Sequence, residues 1–265
     1  MDYHLHTVHS MDGRQTMEAL CEMMVNRGVQ EICLTEHIEP GHPGKGVDVP
    51  PIWENWFQEI DVMRAKFPML TIRSGIEIGD NPLCRDETKR LLDTLPLDFR
   101  LLSLHLVNGV DCYDHEKYFS GKSRAQAYRE YVEAKVESVT NWTDFDSVAH
   151  IGYVAKFSIY TGRERPLRYE DAPDAFDTLL RHIIEQDKCL EINTSGYGTT
   201  GDTLPDSSIV RRYIELGGEA FTFGSDSHDV NRDYADIERA KDAVRAMGGK
   251  YQAAFCQRKR TLYRI

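Results

Sequence analysis

Short apolar runs rich in β-branched and aromatic residues alternate with longer amphipathic stretches along almost the whole chain. The runs predict strands near 2–5, 31–36, 69–76, 99–105, 146–150, 188–193 and 220–225. Between them, apolar positions recur every three to four residues and predict helices near 16–27, 54–66, 84–94, 123–141, 173–186, 206–217 and 233–247. In the first helix Met17, Leu20 and Met24 make one stripe beside Ala19 and Met23. In the fifth, Leu179, Leu180, Ile183 and Ile184 do the same just before Lys188-Cys189-Leu190-Glu191-Ile192. Gly217-Gly218 stops the sixth, and Ala220-Phe221-Thr222-Phe223 follows at once. Seven successive β-then-α units imply parallel strands, and no linker or shift in composition divides them. No Gly-x-Gly-x-x-Gly turn follows the first strand, which weakens an open dinucleotide-binding sheet. The expectation is an α/β protein, a TIM-like (β/α)7 barrel forming a single domain over residues 1–265.

Composition narrows the partners more than the fold. Of 265 residues, 41% are hydrophobic and 28% charged, as in a soluble protein with a sizeable core. The net charge of −11 offers no basic stripe for a nucleic-acid backbone. A small phosphorylated molecule stays open as a substrate, because bound metal supplies positive charge locally. No apolar run approaches the roughly 18–20 residues needed to cross a bilayer, and Met1 to His6 contain no signal-peptide stretch. A cytoplasmic protein without membrane or nucleic-acid partners is expected. The cysteines Cys21, Cys33, Cys84, Cys112, Cys189 and Cys256 form no Cys-x-x-Cys pair and read as reduced thiols. The short basic run Arg258-Lys259-Arg260 reads as an exposed surface cluster.

The histidines change the picture. His4 and His6 close strand 1, with Asp12 in the following turn, and His37 follows strand 2. Glu77, His105 and His150 end strands 3, 4 and 5, and Asp226 and His228 end strand 7. In a barrel this rim is where catalytic groups converge, and alternation points His4 with His6 and Asp226 with His228. Imidazole with carboxylate suits zinc, manganese or iron. Nine such groups at six of seven strand ends argue for a multinuclear metal site. With one carboxylate bridging, they supply enough bonds for two crowded metals or three open ones. Three divalent ions would leave the site positive, which suits a phosphate dianion. Hydrolysis of a phosphate ester follows as the reaction class.

In order, His4-x-His6, Asp12-Gly13, Thr35-Glu36-His37, Gly75-x-Glu77, His105, Ala149-His150 and Gly224-Ser225-Asp226-Ser227-His228 resemble the motifs of the polymerase-and-histidinol-phosphatase (PHP) superfamily. Leu190-Glu191-Ile192-Asn193-Thr194-Ser195-Gly196 resembles its histidinol-phosphate phosphatase branch. The resemblance covers residues 2–228 and implies a distorted (β/α)7 barrel with three divalent ions, for which family members use zinc, manganese or iron. It implies a first metal on His4, His6, Glu77 and Asp226, a second on Glu77, His105 and His150, and a third on Asp12, His37 and His228. Glu36 departs from the family's more usual Asp, at a position not expected to be a ligand.

The activity implied is hydrolysis of L-histidinol phosphate in histidine biosynthesis by a hydroxide shared between metals, with Glu77 bridging and Asp226 orienting the attack. Asp12, or a water on the third metal, would protonate the leaving alkoxide. Arg163 and Arg165 are candidates for phosphate, and Asn193 and Ser195 for the pocket wall. His9 is a candidate for the second shell or the substrate, and His42 in Gly41-His42-Pro43-Gly44-Lys45-Gly46 for a lid. Glu39, Asp48 or Asp202 would pair with the cationic histidinol. Competing readings are a PHP phosphoesterase of a nucleotide or another small ester, a metal-stabilised binding module, and an amidohydrolase-like enzyme. The last usually brings a lysine at a strand end, and none stands there.

Overall fold

Alternation along each strand decides what faces inward. In the computed structural model, which describes residues 1–44, 52–231 and 235–265, six regular strands run parallel. They are β1 (Glu31–Ile38), β2 (Thr71–Gly79), β3 (Phe99–Ser103), β4 (Ser147–Val148), β5 (Cys189–Asn193) and β6 (Ala220–Gly224), paired in that order. The seventh position, expected as a strand at 2–5, is filled by a segment held through isolated parallel bridges, Asp2 to Ile32 and Leu5 to Ser227. On one side Cys33 and Thr35 N–H donate to Asp2 O and Leu5 O, both at 2.8 Å. On the other, Tyr3 N–H donates to Phe223 O at 2.8 Å, Asp226 N–H to His4 O at 2.9 Å and His6 N–H to Ser227 O at 3.0 Å. The first residues of the chain thus close the barrel.

Helices α1 (Met17–Asn26), α2 (Trp53–Lys66), α3 (Arg85–Leu92), α4 (Arg124–Asn141), α5 (Pro173–Glu185), α6 (Ser207–Glu215) and α7 (Ala235–Ala246) begin and end within two residues of expectation. Residues 233 and 234 of the last prediction lie outside the described residues. Local signals set these boundaries: the Thr16 side chain accepts from Ala19 N–H at the start of α1, and Ser123 with Gln126 forms a capping box on α4. Outward side chains such as Leu34, Ile76, Leu102, Val148, Ile192 and Phe223 pack against the helices in one large core that includes Trp56. Inward side chains at the strand starts, Cys33, Phe99, Leu101, Cys189 and Ala220, form a second core with Tyr3 and Phe255.

Phe255 belongs to a C-terminal hairpin that the sequence pattern did not announce. Strand β7 (Tyr251–Cys256) pairs parallel with the start of β6 and antiparallel with β8 (Lys259–Arg264). It closes the N-terminal end of the barrel. Its turn places Gln257 and Arg258 at φ of 48° and 65°. Asp98 holds that turn, accepting from Gln257 N–H on Oδ1 at 2.8 Å and from Arg258 N–H on its carbonyl at 3.0 Å. The Arg258 guanidinium pairs with Asp146 at 2.6 Å and Asp144 at 2.9 Å, and Arg260 with Asp187 at 2.6 Å. The expectation of a plain exposed basic cluster is therefore corrected: two of its three cations clamp the hairpin to the loops entering β4 and β5.

Candidate metal centre

Following each strand upward, the inward positions turn from apolar to polar. On β1 they run Cys33, Thr35, His37, and on β2 Gly75, Glu77, Gly79, with His37 and Glu77 register partners. Glu77 lies in the middle of the histidines. Its Oε2 is 3.2 Å from His4 Nε2, 3.3 Å from His6 Nε2 and 3.2 Å from His37 Nδ1. Its Oε1 is 2.8 Å from His150 Nε2 and 3.3 Å from His105 Nε2. Asp226 Oδ1 lies 3.6 Å from His4 Nε2 and 3.7 Å from His6 Nε2. Asp12, half exposed, reaches His228 Nε2 at 2.9 Å and His37 Nε2 at 3.6 Å. All nine side chains singled out from the sequence as ligands meet at one end of the barrel.

The rings face inward because their other nitrogens are tied down from behind. His4 Nδ1 meets Glu191 Oε1 at 2.6 Å, His105 Nδ1 meets Glu39 Oε1 at 2.7 Å, His6 Nδ1 meets Ser10 Oγ at 3.1 Å, and His228 Nδ1 meets the Asp226 carbonyl at 3.0 Å. Two glycines make room for the tethering carboxylates. A Cβ on Gly224 would come within 2.4 Å of His4 Cβ and 2.5 Å of Glu191 Oε1, and one on Gly79 within 2.5 Å of Glu39 Cγ. Glu36 accepts from Thr7 N–H at 3.1 Å, the Thr7 hydroxyl at 2.6 Å and the Ser10 hydroxyl at 2.5 Å, fixing the turn after His6. Asp226 adopts φ of 55°, a left-handed conformation that Asp tolerates and that costs most other residues more.

The carboxylates and imidazoles at the centre strongly shift one another's ionisation. Burial works against ionisation of Glu77, but His4 and His37 outweigh it and hold the carboxyl well below its usual range. Burial would lower His4, yet Glu191, Glu77 and Asp226 carry it well above the ordinary histidine value. His105 is likewise raised to about 10, burial being overcome by Glu39. His6 goes the other way, down to about 3, through burial and the neighbouring His228 and His37. His6 Nε2 and His228 Nε2 are buried and lack an aligned hydrogen bond. Donor atoms converge within 4.8 Å in the sets His4/His6/Asp226, His4/Glu77/His150, His37/Glu77/His105 and His6/His37/His228. Inward nitrogens, ionised carboxylates and a shared central Glu fit divalent metal binding.

The other sequence candidates scatter. His42 lines the same cavity, with Nε2 3.1 Å from Asp111 Oδ2. The Ser195 hydroxyl donates to Asp226 Oδ2 at 3.3 Å. Asn193 lies behind the site, its amide 3.4 Å from His4 Nδ1 and 3.3 Å from Glu191 Oε2. His9 turns to α2 and pairs with Glu59 at 2.7 Å. Arg165 is occupied by the carbonyls of Lys156, Ser158 and Tyr160, and Arg163 is exposed on a neighbouring turn; neither lines the cavity. Glu39, offered as a substrate partner, is buried behind His37 and His105, whereas Asp202 accepts from the N–H groups of Thr203 and Ser207. Lys45, Gly46 and Asp48 lie outside the described residues. Asp12 is held well below the usual carboxylate range by His228 and His37, despite its burial.

Three contributors escaped the sequence reading. Glu191 tethers His4 and also accepts from His150 N–H at 2.5 Å. Its signal was a charge at an inward position of an otherwise apolar strand. Lys156, on the short helix Tyr153–Lys156 after β4, is 2.9 Å from Asp226 Oδ2. Tyr153 lays its ring 4.6 Å from His105 and 5.3 Å from His150. Lys156 and Tyr153 line, with Glu77, Asp226 and His228, a cavity of about 430 Å³, the size of a small-molecule site.

A parallel barrel carrying a His/Asp/Glu cluster at the C-terminal ends of its strands belongs to the class of metal-binding hydrolase barrels. The PHP domain model matches residues 2–195, and the chain belongs to that family. It is 29% identical over 256 residues to a histidinol-phosphatase of Lactococcus lactis, covering 96% of this chain and 94% of that one. It is 31% identical over 227 residues to a probable histidinol-phosphatase of Clostridium acetobutylicum, covering 86% of each. The crystal structure of histidinol phosphate phosphatase from Lactococcus lactis, complexed with zinc, L-histidinol and phosphate, superimposes with a TM-score of 0.92 at 29% identity over 98% of both chains. Among the described residues no helix is long and apolar enough to cross a membrane.

Proposed function

We propose that this protein is a metal-dependent phosphatase that hydrolyses L-histidinol phosphate to L-histidinol and phosphate, a cytoplasmic step of histidine biosynthesis. The observation that carries the reading is Glu77, touching five imidazoles at the floor of a small-molecule cavity. The relatives named histidinol-phosphatase, and the one solved with zinc, L-histidinol and phosphate, support the substrate. His4, His6, Glu77 and Asp226 would hold a first ion, Glu77, His105 and His150 a second, and Asp12, His37 and His228 a third, with zinc, manganese and iron the fitting metals. When bound, the ions supply Lewis acidity and a water acidic enough to attack at neutral pH.

The chain's own groups do the rest. Asp226, fixed at a left-handed backbone angle and braced by Ser195, orients the attacking water and accepts its proton. Lys156, whose ammonium stands beside Asp226 in the cavity, holds the phosphoryl oxygens. Glu39 and Glu191 keep His105 and His4 aimed inward throughout. Residues 1–265 act as one unit, since Asp226 and His228 complete the cluster from beyond the segment the family model matches.

The test is phosphate release from L-histidinol phosphate beside nucleoside monophosphates and sugar phosphates, with metal content measured on the same sample. A large preference in kcat/KM for histidinol phosphate, lost on chelation, is expected. Metal-loaded protein that ignores it and cleaves another ester would remove the substrate and keep the class.

A further inference from the structure

The seams of the barrel are not equally knit. β1 and β2 pair without a break from Glu31 with Thr71 to Ile38 with Ile78. Where residues 2–6 meet 223–227, the main chain supplies the bonds from Tyr3 N–H, Asp226 N–H and His6 N–H described above, and no regular strand pair forms. Yet His4, His6 and Asp12 stand on one side of this seam and Asp226 and His228 on the other. Two buried side chains add rungs to it, with opposite chemistry. Asp2 Oδ1 accepts from His4 N–H at 3.1 Å and Ser225 N–H at 3.0 Å. Nearer the rim, Gln15 Nε2 donates to His6 O at 2.7 Å and to Ser227 O at 3.1 Å. The carboxylate ties two N–H groups across the seam, and the amide ties two carbonyls.

Gln15 is itself held from both directions. Val8 N–H donates to Gln15 O at 2.9 Å, and Arg14 N–H to His228 O at 2.9 Å, so the turn after His6 folds back over the seam. Gly13 permits that return, since a Cβ there would lie 1.8 Å from Thr7 O. The next residue, Thr16, caps α1, whose Met17 and Leu20 are buried in the large core. Only the NH2 end of the Gln15 amide can face the seam, because the oxygen would oppose two carbonyl oxygens. Oε1 is left buried without a hydrogen bond, a cost that an apolar filler of the same size would avoid. What the clasp governs is the spacing of donor atoms. The His6 ring lies 4.2 Å from the His228 ring across the seam, nearly parallel at 20°, and 4.4 Å from His37. The two carbonyls that Gln15 holds belong to His6 itself and to the residue before His228. Metal–ligand distances tolerate only a few tenths of an ångström, so slack in this seam would be felt at the ion.

We propose that Gln15 is a positioning residue of the metal centre: its amide clamps the first and last strands so that His6 and Asp12 on one side reach metal together with Asp226 and His228 on the other. This rests on the cluster binding divalent metal, and the test separates the two. Gln15→Met keeps the volume and removes both donors; Gln15→Asn keeps the amide but is one methylene too short to reach both carbonyls. Three quantities are measured on each: zinc affinity by chelator competition, the visible spectrum of cobalt-loaded protein, and the unfolding of metal-free protein. Both variants should hold the weakest-bound ion about tenfold to a hundredfold less tightly, with shifted cobalt bands. A filler of space would behave otherwise: Gln15→Met would match wild type, and Gln15→Asn would lose stability while keeping its metal. Wild-type affinity and an unchanged cobalt spectrum in Gln15→Met, whatever its stability, would overturn the clasp. If Gln15→Met does not fold, the same two readings on Gln15→Asn decide. Wild-type protein that takes up no divalent ion would remove the centre itself, a result that no variant is needed to read.

Discussion

The two ends of the barrel interior are built on the same strands and differ in almost everything else. At the N-terminal ends, Tyr3, Cys33, Phe99, Leu101, Cys189 and Phe255 pack as an apolar plug. A few residues on, the inward positions become His37, His105, Glu191 and Asn193. The plug draws its stability from dispersion and excluded water and tolerates any filling of the right volume. The rim is specified by hydrogen bonds, four of its six rings being fixed through one nitrogen so that the other faces inward. One end resists unfolding while the other gathers carboxylates and inward-facing ring nitrogens that fit a divalent metal.

Substitutions at the two levels should separate these roles. The largest effect belongs to Glu77→Ala, which strips the contacts to five imidazoles. Metal content by elemental analysis should fall, and phosphate release should drop by about a thousandfold or more. An active variant with full metal would remove Glu77 from the centre. Next comes Phe99→Ala at the plug, expected to lower the free energy of unfolding in a denaturant titration by about 3–5 kcal/mol while the metal stoichiometry persists. Loss of metal there would mean that the ends are not separable.

Glu39→Gln acts behind the rim. It should weaken metal affinity about tenfold to a hundredfold in a chelator competition, with little change in the unfolding of metal-free protein. A further effect, read as a slope against pH, belongs to a buried lysine behind the sheet. Lys135 on α4 is fully buried, donates to Leu102 O at 3.2 Å, and is lowered from 10.5 to about 7 by burial against the pull of Asp80, Glu191 and Glu77. Between those two values the unfolded chain binds the proton and the folded one does not, so this group makes stability rise with pH, by up to about 1.4 kcal/mol per unit. The difference between wild type and Lys135→Met, followed from pH 7 to 10, should show that slope. A flat difference would mean that Lys135 stays protonated in the folded protein.

Helices and strands were legible because burial is one-sided and periodic, and the nine histidines and carboxylates because so many stood at strand ends. The C-terminal hairpin was not, since Cys256-Gln257-Arg258-Lys259 lacks the glycine or asparagine that positive φ usually demands. Asp98, far away in sequence, supplies what the turn residues do not. Arg163 and Arg165 are candidates because a guanidinium fork matches phosphate and their loop follows a ligand-bearing strand end, yet backbone carbonyls claim Arg165 and Arg163 lies away from the cavity. Glu39 and Glu191 tether rings across strands, a relation that spacing along one strand does not encode. Lys156 meets Asp226 across the mouth of the barrel, from a different strand end, a pairing that the sequence around His150 does not encode.

The seam between residues 2–6 and 223–227 also sets an order of events during synthesis. His4 leaves the ribosome early, but its neighbour Asp226 is made 222 positions later, roughly ten to forty seconds at the usual pace of translation. Until then the first strand has β1 on one side and nothing on the other, and the donor cluster is short of two members. The nascent chain can lay down most of its βα units, but the ring and the donor cluster are completed only once residues 226–228 have been made.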